Sequence, residues 1–400
     1  VIFPQVEIGK YVKKIDTWNP LKSRFDDIFS YIDLSSVDKD KKLVDCSLVQ
    51  SIEGKNAPSR ARQLVKKTDV LISTVRPNLN GVAIVPINLD GATASTGYCV
   101  LRAQQSVLDP LYLFYWVQTK IFINDMLLKA TGANYPAISD KIIKQSKIPL
   151  PPLPEQKKIA DILDAADSLR QKDQQLVEHY DRLSQSLFLD MFGDVFNNTK
   201  GFSIALFSEL VEKVQIGPFG SQLHKCDYVE NGIPLINPVH IVNSKIIPNH
   251  AFSLRTEKYK SLPNYHLKAG DLIMGRRGEM GRCALVTEKE DGFFCGTGSL
   301  YLRLNNKVTP LFLMKTITSK SGKEYLERNA QGVTMMNLNK KIILNIEIGL
   351  PPIELQNKFE TSICAIEKQK ELAQQSLKKS EDLFNSLLQR AFKGELTHTQ

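Results

Sequence analysis

The chain has 400 residues, a formal charge of +9, and 42% hydrophobic and 24% charged residues, the balance of a folded protein of two or three domains rather than a disordered one. No apolar run approaches the roughly 18 residues a membrane span needs, and the start lacks the basic stretch and apolar run of a secretory leader, so a cytoplasmic protein with no membrane partner is expected. The six cysteines (46, 99, 226, 283, 295 and 364) lie far apart without CxxC or Cys/His zinc spacing, which predicts buried thiols in a reducing compartment.

Along the chain, a strand is expected over 29–34. Val70-Leu71-Ile72-Ser73-Thr74-Val75 and Val82-Ala83-Ile84-Val85, joined through Asn80-Gly81, predict a hairpin. A helix follows from Asp109-Pro110, with Asp as cap and Pro at the first helical position, to about Lys129. The polar turn Thr131-Gly132-Ala133-Asn134 ends it. Residues 148–156, IPLPPLPEQ, then launch a long helix from Glu155 to about Met191. A second half follows: the turn-rich Gly217-Pro218-Phe219-Gly220-Ser221, strand-like runs Ile233–Asn237 and Asp271–Gly275, a helix from Thr309-Pro310 to about Arg328, then IGLPPIELQ at 348–356 and a helix from Glu354 to about Ala391.

The two halves repeat each other. Lys141-Ile142-Ile143 answers Lys341-Ile342-Ile343 two hundred positions on, Pro110-Leu111 answers Pro310-Leu311, and Leu101-Arg102 answers Leu302-Arg303 with a shift of one. A tandem duplication of a globular part plus a helix accounts for this, with domains at 1–150 and 196–350 and helical spacers at 151–195 and 351–400. Each globular part reads as α/β or α+β, with hairpins and few helices and without the pattern of a doubly wound parallel sheet.

A 37-residue helix with an apolar stripe, about 55 Å long, needs a partner along most of its length. The stripe runs through 159, 162, 166, 169, 176, 180, 183 and 187 with a polar gap at Asp173; its duplicate runs through 359, 363, 366, 373, 377, 384 and 387 with gaps at Lys370 and Ser380. An antiparallel coiled-coil pair separating the two globular domains, an internal pseudo-twofold repeat, is the simplest arrangement. The alternative is that each helix packs on its own domain. Leu163, Val177, Phe188, Leu372, Leu383 and Leu388 lie off the stripe and offer a face to another protein, or to a second copy in a homodimer of the isolated chain.

Catalytic parts are missing from the sequence. It holds no GxxxxGK[ST] loop, no GxGxxG turn, no HExxH and no GxSxG elbow. Asp109-Pro110-Leu111-Tyr112 and Asn237-Pro238-Val239-His240 each lack the second proline of an amino-methyltransferase box. Charge instead points to nucleic acid: +6 over 1–150 and +7 over 196–350, against −4 over 151–195 and 0 over 351–400. Two similar basic domains on a spacer would read two short sequences in double-stranded DNA separated by untouched duplex. Forked donors read bases, whereas Lys and backbone N–H groups hold phosphates. The candidates are Arg60, Arg62, Arg76 and Asn78 in the first part, and Lys225, Asn237, His240, Arg276 and Arg277 in the second. An ordinary solvated surface carries such residues too. Arg76-Pro77-Asn78 and Arg276-Arg277 stand out because they occupy the same loop in both copies, and Gly217–Ser221 could bring backbone to phosphate.

The repeated 148–164 and 348–364, the Gly217–Ser221 segment followed by Asp227-Tyr228 and Gly232-Ile233-Pro234, and the closing Arg390-Ala391-Phe392-Lys393-Gly394-Glu395-Leu396 together resemble the specificity (S) subunit of type I restriction-modification enzymes, over the whole chain. Glu354-Leu355-Gln356 departs from the first copy's Pro154-Glu155-Gln156, and the chain opens on Val1, so a few residues are expected to precede it. The resemblance implies two target-recognition domains, each reading half of a bipartite asymmetric site, and helices that dock two modification (methyltransferase) subunits. Those subunits would hold S-adenosylmethionine and methylate adenine; restriction (translocase/nuclease) subunits would bring ATP and Mg; this chain would be non-catalytic and hold no cofactor or metal. The rivals are a solitary two-headed DNA-binding scaffold and a DNA adenine methyltransferase, against which the missing cofactor loop argues.

Overall fold

The computed structural model describes residues 3–23, 26–132, 134–332 and 337–396; Ala133 of the expected turn and His398 fall outside them. The chain forms two compact units, Val1–Val177 with Ala373–Gln400, and Glu178–Leu372. The long helices span Leu153–Phe192 and Ile353–Ala391, so each unit holds part of both. No helix among the described residues is long and apolar enough to cross a membrane.

In the first unit a two-stranded antiparallel ribbon, Gln5–Glu7 against Lys147–Pro149, closes the globular part where the chain enters and leaves it. Its central strand Val70–Ser73 pairs antiparallel with Tyr98–Ala103 and with Val82–Ile84, as the alternating apolar runs predict. A second sheet orders Gln50–Glu53, Ile28–Ile32, Thr93–Ser95 and Ala61–Leu64, with the middle pair parallel. The second unit repeats the plan: a ribbon of Ser203–Leu206 against Glu347–Leu350, a central strand Leu272–Gly275 between Ser299–Leu304 and Cys283–Leu285, and a parallel pair of Ile233–Ile236 with Phe294–Cys295. Most pairing is antiparallel, which agrees with the α+β expectation.

Two duplicated polar devices hold these frames. Arg102 Nε and Nη2 donate to Asp69 at 2.9 and 2.8 Å, and Arg303 Nε and Nη2 donate to Asp271 at 2.8 and 2.7 Å. Such forked pairs are among the strongest side-chain hydrogen bonds. Gln156 and Gln356, both fully buried, tie each long helix to its own globular part. The Gln156 Oε1 accepts from the Asp109 N–H at 2.9 Å while Nε2 donates to Pro151 O at 2.8 Å; Gln356 does the same to Thr309 and Pro351, both at 2.8 Å. Glu155 and Leu355, where the copies differ, are half-buried. The glutamine is the part the geometry requires.

Several expectations need correction. The helix from Asp109 breaks into Pro110–Trp116 and Lys120–Lys129, because Thr119 Oγ1 donates to Trp116 O and accepts from the Phe122 N–H, ending one helix and capping the next. Its copy breaks into Pro310–Thr318 and Lys320–Asn329 around Ser319 in the same way. The 70–85 hairpin exists, but its connection is a longer loop containing a turn at Pro77–Leu79, with Arg76 and Asn80 left-handed. Of the cysteines, 99, 283 and 295 are buried, whereas 46, 226 and 364 are exposed; all six are free.

The helix stripe is also redrawn. Leu163, Phe188 and Leu388, expected outside it, are buried, whereas Leu169, Leu176 and Leu183, expected within it, are 39–46% exposed. Each helix start packs both on its own globular part and on the other helix, which turns the buried face away from a simple two-helix seam. In the first unit Leu163 and Ala166 join Tyr115, Phe384 and Leu388 in one core; in the second Phe188 and Phe192 meet Phe312 and Phe359. The helices run antiparallel in both units, Asp173 accepting from Ser376 Oγ at 3.2 Å in the first and Lys370 pairing with Asp181 in the second. The polar gaps at Asp173 and Lys370 therefore have partners.

Candidate nucleic-acid interface

In each unit the loops that follow or precede the central strands gather at one end of the sheet. In the first, Thr74 N–H donates to Gly97 O at 2.9 Å, Thr96 N–H to Arg60 O at 2.8 Å, Arg76 N–H to Pro136 O at 2.7 Å and Ile138 N–H to Thr74 O at 2.9 Å. Loops 58–60, 74–81, 96–97 and 134–138 are thus bonded together. Arg60, Arg76 and Asn78 are exposed there. Arg62 is not part of the cluster's free surface: half-buried on strand Ala61–Leu64, it donates through Nη1 to Asn19 Oδ1 at 2.5 Å.

In the second unit Arg276 N–H donates to Gly298 O at 3.0 Å, Gly298 N–H to Asn237 Oδ1 at 3.3 Å, and Leu338 N–H to Arg276 O at 2.9 Å. This joins loops 237–240, 276–281 and 296–298 to Asn337 and Leu338. The bonds also show that Arg276 stands where Thr74 stands in the first copy, so the two arginine loops coincide but their arginines do not. Arg276 is only 6% exposed and donates through Nε to Asn337 Oδ1 at 2.9 Å; burial, then its neighbour Arg277, pushes its pKa down. Its side chain braces the loop against Asn337. Arg277 is exposed beside it. Asn237 and His240 are half-buried and bonded to each other, Asn237 N–H donating to His240 Nδ1 at 3.2 Å. Burial pushes the His240 pKa down, which favours the neutral ring whose Nδ1 accepts this bond. Lys225 is exposed on a separate turn, Lys225–Asp227.

Gly217 packs against the Gly296 carbonyl so closely that a Cβ would fall 1.9 Å from it. Glycine there serves packing within the loop cluster, and the segment's exposed tip is Phe219, 69% exposed. Sequence reasoning missed Tyr135 and Asn337, the turn residues that meet Arg76 and Arg276. Their one signal was that the turns after the paired helices repeat in both halves; nothing local tied them to the arginine loops. Among the described residues no group of three or more His, Cys, Asp or Glu could hold a metal ion.

Two loop clusters of one design on a duplicated frame match a known pattern. The family of the type I restriction modification DNA specificity domain matches residues 34–179 and again 212–379. This chain belongs to that family. It is 24% identical over 299 residues to the type I restriction enzyme MjaVIII specificity subunit of Methanocaldococcus jannaschii, covering 70% of each chain. It is 24% identical to the EcoBI specificity subunit of Escherichia coli, covering 68% of this chain and 64% of that one. The fold is that of a solved type I restriction-modification system chain (TM-score 0.59, 23% identity, 99% and 98% of the two chains). It also matches the type I S subunit from M. genitalium (TM-score 0.58, 16% identity, 98% and 96%).

Proposed function

We propose that this chain is the non-catalytic DNA specificity subunit of a type I restriction-modification complex, each globular domain reading one half of a bipartite asymmetric site. The observation that carries the reading is the duplicated specificity domain with its loop cluster repeated at the same sheet end. The shared frame gives both domains one way to approach DNA, and their different exposed side chains give them different half-sites.

The long helices leave leucines outside in each unit, Leu169, Leu176 and Leu383 in the first and Leu183 and Leu372 in the second, all 39–53% exposed. Leucines exposed in this number along a helix pair suit docking of other helices, and modification subunits are the occupants the family suggests. S-adenosylmethionine, ATP and Mg would then belong to the modification and restriction subunits. The test exchanges residues 1–150 for those of a relative and maps methylation by the assembled complex. One half-site should change while the other and the gap stay; change in both would sink the two-reader account. Calorimetry on the isolated chain should show no S-adenosylmethionine binding.

A further inference from the structure

We propose that Arg76 reads a guanine in the half-site recognised by the first globular domain, and that Tyr135 is the positioning residue that holds its guanidinium for that contact. This rests on the DNA-reading function proposed above and adds to it the base and the side chain.

Arg76 is built to be presented. Its backbone is left-handed, φ 51°, a conformation unfavourable for a residue with a Cβ that persists where surroundings impose it. Those surroundings are its N–H bond to Pro136 O, the bridge between Val75 and Ala137 next to it, and the turn closed by the Leu79 N–H on Arg76 O at 2.9 Å. The side chain is exposed, and its guanidinium carbon lies 4.8 Å from the centroid of the Tyr135 ring. Tyr135 is itself 67% exposed, a large aromatic surface left in water at a loop tip.

Other arginines of the molecule are treated differently. Arg102, Arg170, Arg282 and Arg303 each pair with a carboxylate. Among the described residues none pairs with Arg76. The cation–π contact with Tyr135 takes up none of the guanidinium's N–H donors, and among the described residues no side-chain hydrogen bond does. A planar fork with its donors free can meet guanine O6 and N7 with two parallel hydrogen bonds, which an ammonium cannot copy. The pair lines a cleft of about 390 Å³ together with Lys39 and Leu79.

The experiment selects bound sequences from a pool of random duplexes with the full chain, in complex with its modification subunits, and repeats this for R76A, R76K, Y135F and Y135A. The half-site that follows residues 1–150 in the exchange above should contain a guanine. Preference for it should fall about ten- to a hundredfold in both R76A and R76K, and about two- to fivefold in Y135A. Y135F keeps the ring and should keep the preference, which a merely structural loss of the loop would not allow. The other half-site and the gap should not change. R76K that retains the guanine preference and loses only salt-sensitive affinity would mean a phosphate contact and overturn the assignment, as would a half-site without guanine. If the exchange of 1–150 moves a half-site but R76A does not, this inference falls and the proposed function stands. If the exchange moves neither half-site, the proposed function falls with it.

Discussion

The two copies of one loop end in opposite places. After the central strand of the first unit, the arginine is solvent-exposed and in cation–π contact with Tyr135; after that of the second, Arg276 is buried against Asn337 and Arg277 is left outside. Around them the frames agree in strand pairing, in the forked Asp–Arg pair and in the glutamine that fastens the long helix. Duplication preserved what carries load within the fold and let the exposed tips diverge, as two readers of different sequences require.

That comparison can be broken most forcefully at the ion pairs. Asp69→Ala and Asp271→Ala each strand an arginine beside a buried site, and the loss should reach about 3 kcal/mol or more, read by urea unfolding with hydrogen exchange to show which unit opens. The first should cost more, because Arg102 is 14% exposed and Arg303 24%. The reverse order would mean that the two pairs are not equivalent. Gln156→Ala and Gln356→Ala each leave a buried N–H and carbonyl unpaired, so about 2–3 kcal/mol is expected from either. A silent change in one copy would show that its helix is fastened by something else.

Smaller effects sharpen the same contrast. Thr119→Ala and Ser319→Ala remove the cap between paired helices, with an expected loss of about 1 kcal/mol in each unit by thermal melting; a loss confined to one unit would make the shared break incidental. Last comes pH. The loop after the parallel strand is closed in the first unit by Ser36 Oγ, which accepts from the Asp33 N–H, and in the second by His240 Nδ1, which accepts from the Asn237 N–H. Because burial lowers the folded pKa of His240 below its unfolded value, the unfolded state takes up the proton first. Stability of the second unit should therefore decline slightly as pH falls below roughly 6.5. His240→Ser should abolish that decline; an equal decline in the first unit would assign it elsewhere.

Much of the frame was legible in the sequence. The repeat at two hundred positions, both Pro-Pro helix starts, the 70–85 hairpin and the helices at 110 and 310 follow from spacing, caps and turn residues, which act over a few neighbours. The candidate site was legible as loops rather than as side chains. Arg76 and Arg276 both follow a central strand, yet their fates were decided by Tyr135 and by Asn337, 61 residues beyond Arg276.

The sequence by itself determined that there are two similar α+β domains and two long helices, because periodicity, proline and capping are local properties written in the chain. Only the tertiary structure decided which leucines stay outside on the helices, where Thr119 and Ser319 break what reads as one helix, and which arginine of each loop remains free. Burial and hydrogen-bond satisfaction depend on what folds against a residue from far along the chain.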